Sequence, residues 1–209
     1  MIRINVSIGG EYMAQNSIND MEKQNMDLNI TIETTDLILR RFTEEDWKDL
    51  YEYLSNPVVV EYEPYEVYSQ EECVVEAKRR SLDKNFFAVV LKSENKVIGN
   101  LYFSKGDFDT WELGYVFNLV YQKRGYATQG AKALIDYAIK NCKARRIVAR
   151  CNTKNISSWR LMERLQMRRE GHYKKIRYFK MDERNQPIWI DAYEYAVLAE
   201  EWKITNEFA

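Results

Sequence analysis

Three apolar runs stand close together in the middle of the chain, Phe86 to Leu91, Val97 to Phe103 and Thr110 to Phe117, separated by short polar turns at Ser93 to Lys96 and Lys105 to Asp109. Turns this short join antiparallel neighbours and leave no room for a crossover helix, so the three runs form a β-meander. The rest of the chain must be arranged around that sheet. Upstream, Leu37 to Phe42 reads as a strand, and Thr43 followed by Asp46 resembles a capping box. Trp47, Leu50, Tyr51 and Leu54 then recur at helical spacing as one buried face, closed by Pro57. Ser69 and Glu72 repeat the capping signal before Cys73, Val74 and Ala77. Downstream, a loop at Asn118 to Arg124 leads into a helix over Tyr126 to Lys140, with Ala131, Leu134, Ile135 and Ala138 on one face. A strand at Ile147 to Cys151, a helix at about Ser157 to Leu165, and strands near Arg169 to Phe179 and Ile188 to Leu198 complete the order. That order predicts an α/β domain with one mixed central sheet.

Residues 1 to 33 are weakly patterned, although Ile4, Val6 and Ile8 alternate as a short strand would, and they read as a tail or accessory segment ahead of a domain over 34–205. No run of about 18 apolar residues is present to cross a bilayer. Charged residues interrupt the first thirty positions, so a secretory h-region is missing, and the expected location is the cytoplasm without membrane association.

Cys73, Cys142 and Cys151 are odd in number and widely spaced, which suits reduced thiols. His172 is the sole imidazole among 209 residues, so Cys/His zinc clusters and HExxH helices cannot be assembled, and no metal is expected. His172 itself reads as a surface histidine. The formal net charge of -1 conceals a stretch at 143–184 with 14 Lys+Arg against 4 Asp+Glu. Such a stretch serves a nucleic-acid face, a small and highly phosphorylated ligand, or a solvated face packed against acidic residues. No DNA-reading or RNA-reading signature accompanies it, and nucleic acid is not an expected partner.

The segment Gln122-Lys123-Arg124-Gly125-Tyr126-Ala127-Thr128 lies between a strand and a helix. Successive backbone N–H groups feeding a helix N-terminus form an anion site, because those donors lack intrahelical partners and the helix dipole adds partial positive charge. Glycine at such a point is equally explained by turn geometry. The segment is neither a Walker A loop nor a GxGxxG fingerprint. Thirty residues on, Asn155-Ile156-Ser157-Ser158 follows a strand and opens a helix, where Asn155 and Ser158 are also natural capping residues.

Together, Trp111-Glu112-Leu113-Gly114-Tyr115, Gln122-x-x-Gly125-x-Ala127, Asn155-x-x-Ser158-x-Arg160-Leu161-Met162-Glu163-Arg164-Leu165 and Glu170-Gly171 closely resemble the GNAT acetyltransferase superfamily. The likeness is nearest to the branch whose members acetylate the N-termini of bacterial ribosomal proteins, and it covers about Thr35 to Trp202. The resemblance implies the GNAT fold, a mixed, mostly antiparallel central sheet flanked by helices, and an acetyl-CoA-dependent N-acetyltransferase needing no metal. It implies that Gln122, Lys123, Arg124, Gly125, Tyr126, Ala127 and Thr128 bind the pyrophosphate of acetyl-CoA. By the same resemblance, Phe117, Asn118 and Leu119 run beside the pantetheine, and Asn155 and Ser158 contact the pantetheine arm near the thioester.

In that superfamily an amine attacks the thioester directly. Deprotonating a lysine amine at pH 7 costs about 4.6 kcal/mol, whereas an α-amine costs about 1.4 kcal/mol; releasing the thiolate costs about 2 kcal/mol. Many members place a tyrosine seven residues after the motif asparagine as proton donor to the leaving thiolate. Here that position is Met162, which cannot donate, so the role passes to the hydroxyl of Ser158. Glu112 is the expected base, acting directly or through water with its pKa raised by burial; alternatively it points to the opposite sheet face and pairs with an arginine. Gln129 stands where relatives often carry a carboxylate. Tyr62, Tyr65, Tyr68, Tyr173 and Tyr178 either line an acceptor pocket or fill core and rim, and Glu61, Glu63 and Glu66 would attract a cationic acceptor.

The expected activity is therefore acetyl transfer to a primary amine, on a protein N-terminus or a small molecule, by a monomer or homodimer. The rival is a degenerate acyl-CoA-binding module that keeps the phosphate loop and has lost catalysis.

Overall fold

The computed structural model describes residues 30–203. The alternation at Ile4 to Ile8, most of the expected tail, and residues 204 and 205 lie outside the described residues. The elements are β1 (Ile32–Glu33), β2 (Leu37–Arg40), α1 (Trp47–Leu54), α2 (Gln70–Leu82), β3 (Phe86–Leu91), β4 (Lys96–Lys105), β5 (Thr110–Phe117), α3 (Tyr126–Cys142), β6 (Arg146–Asn152), α4 (Ile156–Arg164), β7 (Arg168–Met181) and β8 (Pro187–Leu198). Ile30 is buried in the core and Ile32–Glu33 pairs with β2, so the packed domain begins ahead of residue 34. A two-residue strand is too short for its alternation to be read from sequence.

All eight strands form one sheet in the order β1-β2-β3-β4-β5-β6-β8-β7. The meander pairs as expected, with Leu91 opposite Lys96 and Gly99 opposite Phe117. Gly99 marks a close approach, since a Cβ there would sit 2.6 Å from the carbonyl oxygen of Val116. Every neighbouring pair is antiparallel except β5–β6, which the α3 crossover makes parallel. That pair is held only over Thr110–Glu112 against Arg146–Val148; beyond it the strands part.

Alternation in the strands divides the core. Trp111, Leu113 and Phe117 of β5 join Ile147, Ala149 and Cys151 of β6 on one face, packed against Ala131, Leu134, Ile135 and Ala138 of α3. Burying a side chain such as Leu134 contributes roughly 1.5–3 kcal/mol. Val116 joins the opposite face, which Leu50, Leu54, Cys73 and Ala77 of α1 and α2 cover. The expected face of α1 requires one correction. Tyr51 is 39% exposed, and Tyr53 takes the inward position because its hydroxyl finds a buried partner, the Oδ1 of Asn100 at 3.1 Å. Both capping boxes are present, the first opening a 3₁₀ turn ahead of α1 and the second opening α2. Among the described residues no helix is long and apolar enough to cross a membrane.

Candidate active site

Where β5 and β6 part, a cavity of about 1720 Å³ opens. It is bounded by Glu112 to Phe117 of β5, the N-terminal turns of α3 and α4, the loop from Glu61 to Tyr68 ahead of α2, and Arg177 and Phe179 of the β7–β8 hairpin. Of the residues expected from sequence, Glu112, Phe117, Leu119, Gln122, Lys123, Gly125, Tyr126, Ala127, Thr128, Asn155 and Ser158 all line it. Asn118 and Arg124 do not. Asn118 caps the 3₁₀ turn at Leu119–Tyr121 through Oδ1, and the Arg124 guanidinium lies over the Tyr121 ring at 5.7 Å.

At one end, Gly125 precedes α3 with φ +87°, a left-handed conformation that disfavours any residue with a Cβ. No side chain caps α3, and its first turn carries no acidic residue. The amides of Tyr126, Ala127 and Thr128 therefore lack intrahelical acceptors. Lys123, Lys132, Lys154, Arg160 and Arg164 line the same cavity, so donors and positive charge converge where a polyphosphate needs both. Gln129 also lines the cavity, its side-chain amide accepting from Thr34 at 3.1 Å and donating to Asp36 at 3.0 Å.

At the centre, Asn155 caps α4: its Oδ1 accepts the backbone N–H of Ser158 at 3.1 Å and the Ser157 hydroxyl at 2.9 Å. Nδ2 remains as a donor without a partner among the described residues. Capping and cavity lining thus coexist in one side chain. Ser158 is 8% exposed, and its Oγ lies 2.9 Å from the Tyr115 hydroxyl, which also bonds the Ser158 carbonyl at 2.9 Å. Burial pushes the Tyr115 phenol above its ordinary range, keeping it a neutral donor at neutral pH. The sequence reading passed over Tyr115, whose value depends on α4 folding back across β5. Met162 is 1% exposed and packs in the core, so the position of the usual tyrosine contributes volume and no proton.

Glu112 lines the cavity and pairs with an arginine, as the second of the two alternatives raised from sequence has it. Its side chain is 44% exposed, and Oε1 lies 3.3 Å from a nitrogen of Arg150, which also donates to Glu194 at 2.6 Å. The expected burial is absent: Glu112 sits opposite Val148 on the last rung before β5 and β6 part, and its side chain is half-exposed beside Arg150.

The wall formed by the loop ahead of α2 is acidic and aromatic. Glu61, Tyr62, Glu63, Tyr65 and Tyr68 line it together with Arg80. Arg80 is 2% exposed, donating to Glu76 at 2.6 Å and to Asn100 at 2.9 Å. Burial raises the carboxyl of Glu63 to about 7, although Arg80 nearby opposes the shift. Lys180 of the hairpin pairs with Glu66 at 3.3 Å and ties the hairpin to this loop.

Much of the basic stretch is neutralised locally. Arg146 and Arg168 pair with Glu170, and Arg169 reaches Tyr195 and Glu163. His172 is surface-exposed, 3.7 Å from Asp191.

The mixed sheet thus parts beside an uncapped helix N-terminus, with a hydroxyl pair at the split. The chain belongs to the GNAT acetyltransferase family: the family model described as "Acetyltransferase (GNAT) domain" matches residues 36–168. YnaD, an uncharacterized N-acetyltransferase of Bacillus subtilis (strain 168), is 38% identical over 174 residues, covering 82% of this chain and 98% of its own. The crystal structure of a GNAT-family acetyltransferase from Bacillus anthracis is similar with TM-score 0.74 at 36% identity, covering 82% of this chain and 100% of its own. A coenzyme A complex of RimL, the ribosomal L7/L12 α-N-protein acetyltransferase, shares the fold with TM-score 0.69 at 23% identity over 81% of this chain and 98% of its own. The chain is an N-acetyltransferase of this family, and the family's co-substrate is acetyl-CoA.

Proposed function

We propose that this chain transfers the acetyl group of acetyl-CoA directly to a primary amine, on a protein N-terminus or a small molecule, in the cytoplasm and as a monomer or homodimer. The single observation that carries this reading is the parting of β5 and β6 beyond Glu112, with uncapped amides at one end and the Tyr115–Ser158 pair at its centre. Acetyl-CoA supplies an acyl carbon activated by a thiol leaving group. In this reading the amides of Gly125 to Thr128, with Gln122, Lys123 and Arg124 beside them, bind the pyrophosphate. The edge of β5 at Phe117, whose carbonyl accepts from Gln122 Nε2 at 3.1 Å, runs with Asn118 and Leu119 beside the pantetheine, and Nδ2 of Asn155 donates to it. The Ser158 hydroxyl donates a hydrogen bond to the departing sulfur, offsetting part of the roughly 2 kcal/mol needed to release it. Glu112 faces the acceptor through water, although Arg150 competes for its oxygens.

The acceptor reading rests on the cavity. Glu61 and Glu63 set negative charge beside Tyr62, Tyr65 and Tyr68, which suits a cationic amine. The RimJ/RimL-like relationship, and with it a protein N-terminus as acceptor, rests on the quoted motifs and on neighbours that share the fold. Thiol release from acetyl-CoA is to be followed against peptides beginning with Ala or Ser, a lysine-side-chain peptide and spermidine. Turnover with any of them, lost in Ser158→Ala, is the expected result. Tight coenzyme binding without turnover on any amine would favour the non-catalytic acyl-CoA-binding module.

A further inference from the structure

Glu63 is the one carboxylate of the acceptor wall that is drawn inward without being spent on a partner. Its side chain lines the cavity and is only partly exposed. Among the described residues it makes no hydrogen bond and no salt bridge, unlike Glu76, held by Arg79 and Arg80, and Glu112, held by Arg150. The loop is fixed where Glu63 sits, because its backbone N–H donates to the Val60 carbonyl at 3.0 Å and Val60 is buried. The charge of Glu63 is felt by Arg80 of α2, by Tyr65 of its own loop and by Tyr115 of β5. Glu63, Tyr115 and Ser158 line the same cavity. From the hairpin, Arg177 is the charged group that lines the same space.

We propose that Glu63 is the general base of the transfer, receiving the proton from the acceptor ammonium in the cavity that Ser158 also lines. This assignment rests on the acetyl-transfer reading above and moves the basic role from Glu112 to the loop ahead of α2. The step balances without an added reagent. The Glu63 carboxylate takes one proton from the ammonium; the freed nitrogen lone pair forms the C–N bond; the C–S bond breaks with its electron pair on sulfur, and the second proton leaves the now acidic amide nitrogen for that sulfur, giving the free thiol. The Ser158 hydroxyl hydrogen-bonds that sulfur, and the proton on Glu63 leaves to solvent. A carboxyl held near 7 by burial suits this task, being ionised often enough to act and basic enough to accept. Glu61, exposed and lining the same cavity, attracts the amine as a cation.

The test uses the full chain, acetyl-CoA and whichever amine of the panel turns over fastest. Glu63→Gln is expected to lower kcat by about 100-fold with KM for acetyl-CoA unchanged, a loss within the usual range for removing a general base. The acidic limb of the wild-type pH–rate profile, centred near 7, is expected to vanish in the variant. A variant that keeps that limb and wild-type kcat would overturn the assignment. If no amine turns over with wild type, the acetyl-transfer reading falls and a second readout decides Glu63 alone. Carboxyl-¹³C glutamate NMR of the coenzyme A complex, assigned by the signal lost in Glu63→Gln, is expected to show titration near 7. A midpoint in the ordinary carboxylate range overturns the proposal.

Discussion

The phenolic oxygen of Tyr115 lies 2.9 Å from the carbonyl oxygen of Ser158 and 2.9 Å from its Oγ, joining the parted end of β5 to the first turn of α4. When Tyr115 donates to the carbonyl, the Ser158 hydroxyl keeps its own hydrogen for an acceptor in the cavity.

Ser158→Ala is expected to lower kcat by about 10- to 100-fold, the loss of one preorganised donor at the leaving group. Tyr115→Phe keeps the ring and is expected to cost about tenfold. Because the two groups act as a unit, the double variant should resemble Ser158→Ala alone. Steady-state thiol release for the four proteins measures the coupling; strictly multiplicative losses would separate the two roles.

Gly125 holds a left-handed backbone at φ +87°, and because a Cβ there would meet nothing within 4 Å, backbone strain is the whole cost of a side chain. Gly125→Val is expected to cost about 1–2 kcal/mol in backbone strain and to weaken coenzyme A binding at least tenfold. Gly125→Asn, which tolerates that conformation better, should bind more tightly than the valine variant. Calorimetric titration with coenzyme A ranks the three.

Leu134 of α3 is fully buried against the sheet. Leu134→Ala should destabilise the fold by about 2–5 kcal/mol in urea unfolding, through lost burial and the cavity left behind.

Glu63 also gives a pH signature in stability. Its folded value of about 7 lies above the ordinary 4.5, so the folded state holds that proton more tightly. Its contribution is complete below about pH 4.5 and is lost as pH rises through 7, on the order of 3 kcal/mol in all. The stability of Glu63→Gln relative to wild type should therefore climb between pH 4 and pH 8 in chemical unfolding; a flat difference would contradict the burial of this carboxyl.

The legible parts of this protein are those written in local periodicity. The meander, α3 and the two capping boxes follow from spacing and turn chemistry, and the loop at Gln122 to Thr128 is visible because a helix start needs donors regardless of what it binds. The split between β5 and β6 is not visible, since nothing in either strand records where its neighbour diverges. Glu112 likewise emerges half-exposed and paired with Arg150, and Tyr115 gains its part only when α4 crosses β5. Tyr53 outranks Tyr51 in α1 because of Asn100, a partner 47 residues away. Glu63 was recognisable as acidic, but its seclusion depends on how the loop ahead of α2 closes over the sheet.

Diffraction from crystals grown with coenzyme A tests the central claim most directly. The account predicts the pyrophosphate within hydrogen-bonding distance of the amides of Gly125 to Thr128, with the thiol beside Ser158 Oγ in the split between β5 and β6. Coenzyme A bound elsewhere, with those amides facing only solvent, would contradict it.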